Sequence, residues 1–302
     1  MRPVGVIATA AATAVALALG AVVWSRIDGG VPAVSPRSVR QPGAFREAPV
    51  TESSGIALSR RRPGMFWTMN DSGNPASLFL TDTLAAYHGF VSLEPILDVD
   101  WEALSAAPCG EDWCLYVGDI GDNRAVRKSV VIYRLAEPTD EDLAANRTGP
   151  VDSLVVTYPD GPEDAEALVA TADGSLGIVT KGRDGSATTY WIDGSAWAAG
   201  STVARRVGQL PFATSLILRR LVTDAALSPD GHRLAIRTYR SIYLYERGDG
   251  PLPDRPLTIC DIDGLEPIGE GIAWYDDSTL VLTSEISRSR PGPVTLLQCP
   301  VP

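Results

Sequence analysis

The sequence predicts an all-β protein folded as a β-propeller, on the strength of three observations. A short motif recurs five times along the 302 residues, each copy is followed by turn signals between β-rich runs, and glycine and proline are plentiful, at 28 and 23 residues. Repeats are the first thing to seek, because overlooking them misassigns the whole fold. The motif is a polar residue, a small residue and an aliphatic, often closed by alanine. Its copies are Ser54-Gly55-Ile56-Ala57, Glu102-Ala103-Leu104, Glu166-Ala167-Leu168-Val169, Asp224-Ala225-Ala226-Leu227 and Glu270-Gly271-Ile272-Ala273. Their starts lie 48, 64, 58 and 46 residues apart.

Each copy leads into a turn: Arg62-Pro63-Gly64, Asp173-Gly174, Pro229-Asp230-Gly231 and Asp276-Asp277 are the clearest. A second β-rich run follows at Met65–Met69, Trp113–Val117, Leu176–Thr180, Arg233–Arg237 and Thr279–Thr283. A third comes at Ser77–Leu80, Val130–Leu135, Thr188–Ile192, Ile242–Tyr245 and Val294–Leu297. A weaker fourth run closes most units, at Val91–Leu97, Ser153–Tyr158, Val203–Leu210 and Leu257–Ile262. Four short strands per unit, alternating in polarity and rich in β-branched and aromatic residues, describe a propeller blade. Five blades are expected. A six-bladed ring, with a degenerate blade inside the long second or third unit, and an all-β sandwich are the alternatives. The fifth unit runs out of chain before a fourth strand. Ser38–Val50, just upstream of the first unit, can supply that strand and close the ring, removing the open sheet edges.

Residues 1–24 hold a single basic residue, Arg2, and an uncharged run from Pro3 to Trp24. That run is long enough to span a bilayer and reads as an uncleaved signal-anchor or a cleaved signal peptide. Residues 25–49, rich in Pro, Gly, Ser and Arg, read as a stalk, and 50–302 as the propeller. The expected location is therefore outside the membrane, tethered through the N-terminal helix or secreted. The net charge of −11 argues against nucleic acid, whose phosphates need a basic footprint.

Four cysteines follow. Cys109 and Cys114 flank the turn of one hairpin and are expected to pair; Cys260 and Cys299 lie in adjacent units and can pair as well. Zinc is the competing reading, but the spacings are wrong for paired knuckles.

In a propeller the first strand of each blade lines the axis and the second runs antiparallel beside it. Residues opening the first strand and residues closing the second therefore meet on one rim. The openers are Glu52 or Ser54, Glu102, Glu166, Asp224 and Glu270; the closers are Asp71, Asp119, Lys181, Arg237 or Thr238, and Glu285. The stretch Asp98–Arg124 shows the grammar best: Asp100 and Glu102 open one strand, and Asp119, Asp122 and Asn123 follow the next. One channel mouth should thus carry about seven carboxylates and one or two cations. Oxygen-only ligands suit Ca²⁺ or Mg²⁺. The competing reading is that these acids bond backbone N–H groups of neighbouring blades and lock the ring, with Lys181 and Arg237 neutralising two of them. Only two histidines occur, His88 and His232, neither with an evident partner, and no nucleophile elbow or phosphate-binding loop is present.

Ser228-Pro229-Asp230-Gly231-His232-Arg233-Leu234-Ala235 resembles the repeat of TolB-type propellers. Ser54-Gly55-Ile56-Ala57, Asn70-Asp71-Ser72-Gly73 and Gly118-Asp119-Ile120-Gly121-Asp122-Asn123 resemble uncharacterised exported bacterial propellers of the WD40-like class. The chain is similar, more loosely, to phytase-like and gluconolactonase-like propellers. The last group implies a divalent metal at the channel mouth, although Lys181 and the arginines of unit four depart from its pattern. The expected function is a binding or interaction module for a small ligand, cation or protein partner. The alternative is a metal-dependent hydrolase of a lactone or phosphoester, with Glu102, Glu166, Asp224 or Glu270 as ligands and Asp119 as base.

Overall fold

The computed structural model describes residues 31–210, 212, 216–247, 255–287 and 290–301. Five sheets, antiparallel except for one added edge strand in each of two, form five blades. Blade one comprises Ser53–Leu58, Met65–Asn70, Ser77–Asp82 and Tyr87–Ser92. Blade two comprises Trp101–Cys109, Asp112–Asp119, Val130–Ala136 and Val151–Thr157, with Ser201–Val203 added in parallel at its outer edge. Blade three is built from Ala165–Ala170, Leu176–Thr180, Ala187–Ile192 and Arg205–Leu210. Blade four contains Val222–Leu227, Arg233–Thr238, Ser241–Glu246 and Thr258–Asp261, edged by Ala33–Val34. Blade five has Gly269–Trp274, Leu280–Ser284 and Gly292–Gln298.

The fourth strand of blade five is Ser38–Phe45, paired antiparallel with Gly292–Gln298. The first and last segments of the propeller thus share one sheet. The inner strands touch in a closed cycle, each against the inner strand of the next blade. The count is five, not six, and the long second and third units spend their extra length on a short helix, Asp140–Ala145, a 3₁₀ turn, Gly194–Ala198, and the added edge strand. The boundary drawn at residue 50 moves upstream: the described part of the expected stalk, from residue 31, includes two strands of the ring. The expected N-terminal helix lies outside the described residues. Among the described residues no helix is long and apolar enough to cross a membrane.

The core lies between blades. Trp67, Trp101, Leu104 and Val117 pack between blades one and two, and Leu168, Ile178, Tyr116 and Ile132 between two and three. Each interface buries the alternate side chains of two facing sheets. Both disulfides form as paired on sequence grounds, Cys109–Cys114 across a hairpin turn and Cys260–Cys299 between blades four and five. No cysteine is left for a zinc site.

Candidate functional site at the channel mouth

Every inner strand breaks register with its neighbour at the same place. The irregularities fall between Ser53 and Ile56, Trp101 and Ala103, Ala165 and Ala167, Val222 and Asp224, and Gly269 and Ile272. Such bulges bend a strand and re-aim one side chain. The residues so displaced are Ser54, Glu102, Glu166, Thr223 and Glu270, a ring of equivalent positions at one end of the axis. Ser54 Oγ donates to the carbonyl of Glu102 at 3.1 Å, and Thr223 Oγ1 does the same to the carbonyl of Glu270 at 3.0 Å. The hydroxyl positions therefore tie blade to blade, and the glutamates carry the charge.

The blade-four register corrects one expected ligand. Asp224 pairs with Arg237, as Ala103 pairs with Gly118 and Ala167 with Val179. It sits one step deeper than the glutamates. Its carboxylate accepts the backbone N–H groups of Ala225 at 2.8 Å and Ile272 at 2.9 Å, with Ile56 N–H as a further donor. Asp224 locks blades four, five and one together. Glycine at the matching position of blade one leaves room for close strand approach: a Cβ on Gly55 would lie 2.5 Å from the Leu104 nitrogen.

Arg237 and Thr238 also leave the mouth. Arg237 is fully buried, donates to the carbonyls of Gly271 and Thr283 at 2.5 and 3.0 Å, and forms an ion pair with buried Glu266. Thr238 Oγ1 donates to Ser241 in the following turn. Asp119 is held by Arg127 at 2.7 Å and accepts the Asp100 N–H at 3.2 Å, so it is committed to its own blade. Asp122 accepts the Arg127 N–H, and Asn123 meets Arg183 of blade three; both tie loops together. Trp101 packs against Tyr133 in the interface between blades one and two. His88 does find a partner, Asp82 at 2.9 Å, across the outer hairpin of blade one.

The mouth itself holds Asp71, Glu102, Glu166, Lys181, Glu270 and Glu285 of the expected set, plus Asp98, Asp100 and Tyr239. The charges act on one another around the circle. Burial pushes Glu102 well up, and Glu166 and Asp71 push it further. Burial likewise raises Glu270, reinforced by Glu166 and Glu285. Glu285 is pushed up to about 7 by burial and then by Asp71 and Glu52. Asp98 rises to about 7 through burial, despite the N–H of Trp101 at 3.1 Å. Lys181 is the one ammonium in the circle; it pairs with Glu166, whose charge keeps its own titration high. Burial still holds Glu166 up, to about 7. Tyr239 hydrogen-bonds Glu270 and is raised by burial and by that carboxylate.

Within the circle, one oxygen each from Asp71, Asp100 and Glu102 lie within 4.8 Å of one another. Gly121 permits this crowding. A Cβ there would sit 2.6 Å from both Asp100 Oδ2 and Glu102 Oε1. Asp100 was visible in the sequence as the acid two residues ahead of Glu102. Tyr239 adjoins the expected Thr238 in the segment that closes the second strand of unit four, but an aromatic there matches none of the acids at the other strand ends.

No family model and no curated protein matches the sequence. Solved structures share the architecture. An aldose sugar dehydrogenase from Streptomyces coelicolor in its PQQ-bound form is 11% identical, with a TM-score of 0.51, over 88% of this chain and 99% of that one. A gluconolactonase from Xanthomonas campestris is 14% identical, with a TM-score of 0.48, over 92% and 93%. The β-propeller domain of Cps50 (Swd1) from Myceliophteria thermophila is 11% identical, with a TM-score of 0.40, over 82% and 84%. At 11% identity the first of these likenesses supports the fold, a β-propeller, and nothing about activity.

Proposed function

We propose that the protein is an exported propeller that works as a binding module, holding a divalent cation, Ca²⁺ or Mg²⁺, at its channel mouth. The observation that carries this reading is the convergence of Asp71, Asp100 and Glu102 on one point. Glu102 is only 7% exposed, and among the described residues its one hydroxyl donor, Ser54, lies 3.4 Å away. Buried Glu102, crowded by the half-buried Asp71 and Asp100, is favoured as a carboxylate when a cation joins the group. The donors are all oxygen, which favours a hard cation over zinc or copper. Export is supported by the two disulfides, which persist in oxidising compartments.

The test is titration of EDTA-treated protein with Ca²⁺, Mg²⁺ and Zn²⁺, followed by calorimetry and thermal melting. A site binding the native state raises the melting temperature once the ion exceeds its Kd. Absence of a shift with every divalent ion removes the cation reading and leaves the acids as ring locks.

A second reading is a metal-dependent hydrolase of a lactone or phosphoester. It is favoured by Glu285 and Asp98, whose carboxyl groups titrate near 7 within the mouth and so suit general acid–base work. Asp119 does not fit the base role, being tied to Arg127. Turnover of lactone or phosphate-ester panels by the cation-loaded protein, lost in Glu285→Gln or Asp98→Asn, tests this reading.

A further inference from the structure

Beside the acidic mouth lies a second concavity of mixed charge. A cleft of about 530 Å³ opens between blades four and five, lined by Leu218, Tyr239, Arg240, Pro267, Ile268 and Arg290 among others. Its volume falls in the range of small-molecule sites. Tyr239 belongs to both places: its ring lines the cleft and its hydroxyl meets Glu270 in the mouth.

The charges in the cleft wall are unevenly committed. Glu266 accepts from Arg237 and from Thr295 Oγ1 at 3.0 Å. Asp263 is held by Arg240 and lies 3.5 Å from Arg219. Among the described residues Arg290 has no carboxylate partner. Its backbone is fixed instead, by reciprocal N–H to carbonyl bonds with Ser287 at 3.0 and 3.2 Å. The acids of the cleft are thus spoken for, and a guanidinium on its rim is not. Leu218, Pro267 and Ile268 supply the apolar wall.

We propose that this cleft binds a small organic anion with an aromatic or aliphatic body. The anionic group, a carboxylate or phosphate, meets the Arg290 guanidinium, which matches the geometry of either. The body lies on the Tyr239 ring and against Leu218, Pro267 and Ile268. A cation is disfavoured because both carboxylates of the lining, Asp263 and Glu266, are already paired with arginines. The site is independent of the cation site: it needs no metal, and either can fail without the other.

The test uses the whole protein in EDTA, with 3-phenylpropionate, phenyl phosphate and 3-phenylpropylamine as probes, followed by calorimetry. At least one anion is expected to saturate with a Kd tighter than about 1 mM, and the amine not to bind. Arg290→Glu should weaken the anion at least tenfold, Arg290→Lys, which keeps the charge but loses the fork, should fall between it and the parent, and Glu111→Gln, on the exposed hairpin turn of blade two, should leave binding unchanged. Carboxylate binding with no phosphate binding, or the reverse, identifies the anionic group. Failure of both anions to saturate, equal binding of the amine, or full binding by Arg290→Glu overturns the proposal.

Discussion

The carboxylate of Asp224 accepts the backbone N–H of Ile272 at 2.9 Å, across a chain separation of 48 residues. One side chain of blade four therefore satisfies the backbone of blade five, and its further bond to the Ile56 N–H reaches blade one. A buried N–H without an acceptor costs as much as a lost hydrogen bond or more. Asp224→Ala is expected to destabilise the ring by about 3 kcal/mol, read as a lower urea midpoint at unchanged slope. Asp224→Asn keeps one acceptor oxygen and should lose less. A change within about 0.5 kcal/mol for the alanine variant would show that the lock contributes nothing.

The crowding at Gly121 offers a clean block of the cation site. Gly121→Ala places a methyl group 2.6 Å from carboxylate oxygens of Asp100 and Glu102. Those side chains must part, at a cost of about 1–3 kcal/mol. The expected outcome is a folded protein whose Ca²⁺-dependent rise in melting temperature is lost. Glu102→Gln should lose the rise as well but melt higher than the parent without ions, since it removes a buried like charge. Retention of the rise in both variants places the ion elsewhere.

The disulfides make a graded prediction. Cys260 and Cys299 are 39 residues apart, Cys109 and Cys114 only 5. Loop-closure entropy grows with the logarithm of loop length, so replacing the first pair by serine should cost about 4 kcal/mol and the second about 2 kcal/mol. Urea melts of the two double variants and their parent check the order. Equal losses would mean that entropy of the unfolded chain is not what these bonds control.

The architecture was legible because the repeat is written in small residues and turns, which cannot vary freely. The strand pairs, the closing strand over Ser38–Phe45 and both disulfides follow from it. The site was legible only where the bulge falls on an acid. In blade four the pattern Asp224-Ala225-Ala226-Leu227 aligns with Glu166-Ala167-Leu168-Val169, yet the register slides by one and brings Thr223 to the bulge. Two consecutive alanines blur the small-then-large signal that sets the phase elsewhere. Arg237 and Glu266 illustrate the other limit. Their pairing joins a strand of blade four to the connection ahead of blade five, 29 residues on, which no local pattern encodes.

The mouth also dictates how stability varies with pH. Glu285 and Asp98 titrate near 7 in the folded protein, pushed up mainly by burial, against about 4 in an unfolded chain. A carboxyl whose folded value is raised stabilises the fold at pH values below its unfolded value, and that contribution is lost as pH rises through the folded value. Between pH 4.5 and 7 the unfolded state sheds protons that the native state keeps, so the native state weakens steadily. The acid limb has a different source. Asp142, Asp173 and Asp230 are held low, by the Thr139 N–H and by the hydroxyls of Thr171 and Ser228 respectively, and their stabilisation disappears below about pH 4. In EDTA the melting temperature should therefore peak on the acid side of neutrality and fall towards pH 8. A bound cation favours the ionised carboxylates, so saturating Ca²⁺ should flatten or reverse that fall. Melting scans across pH with and without the ion check both halves. An EDTA curve that rises from pH 5 to pH 8 would show that the mouth carboxylates are ionised at no cost, and that the ring of charge is relieved by something other than protons or a cation.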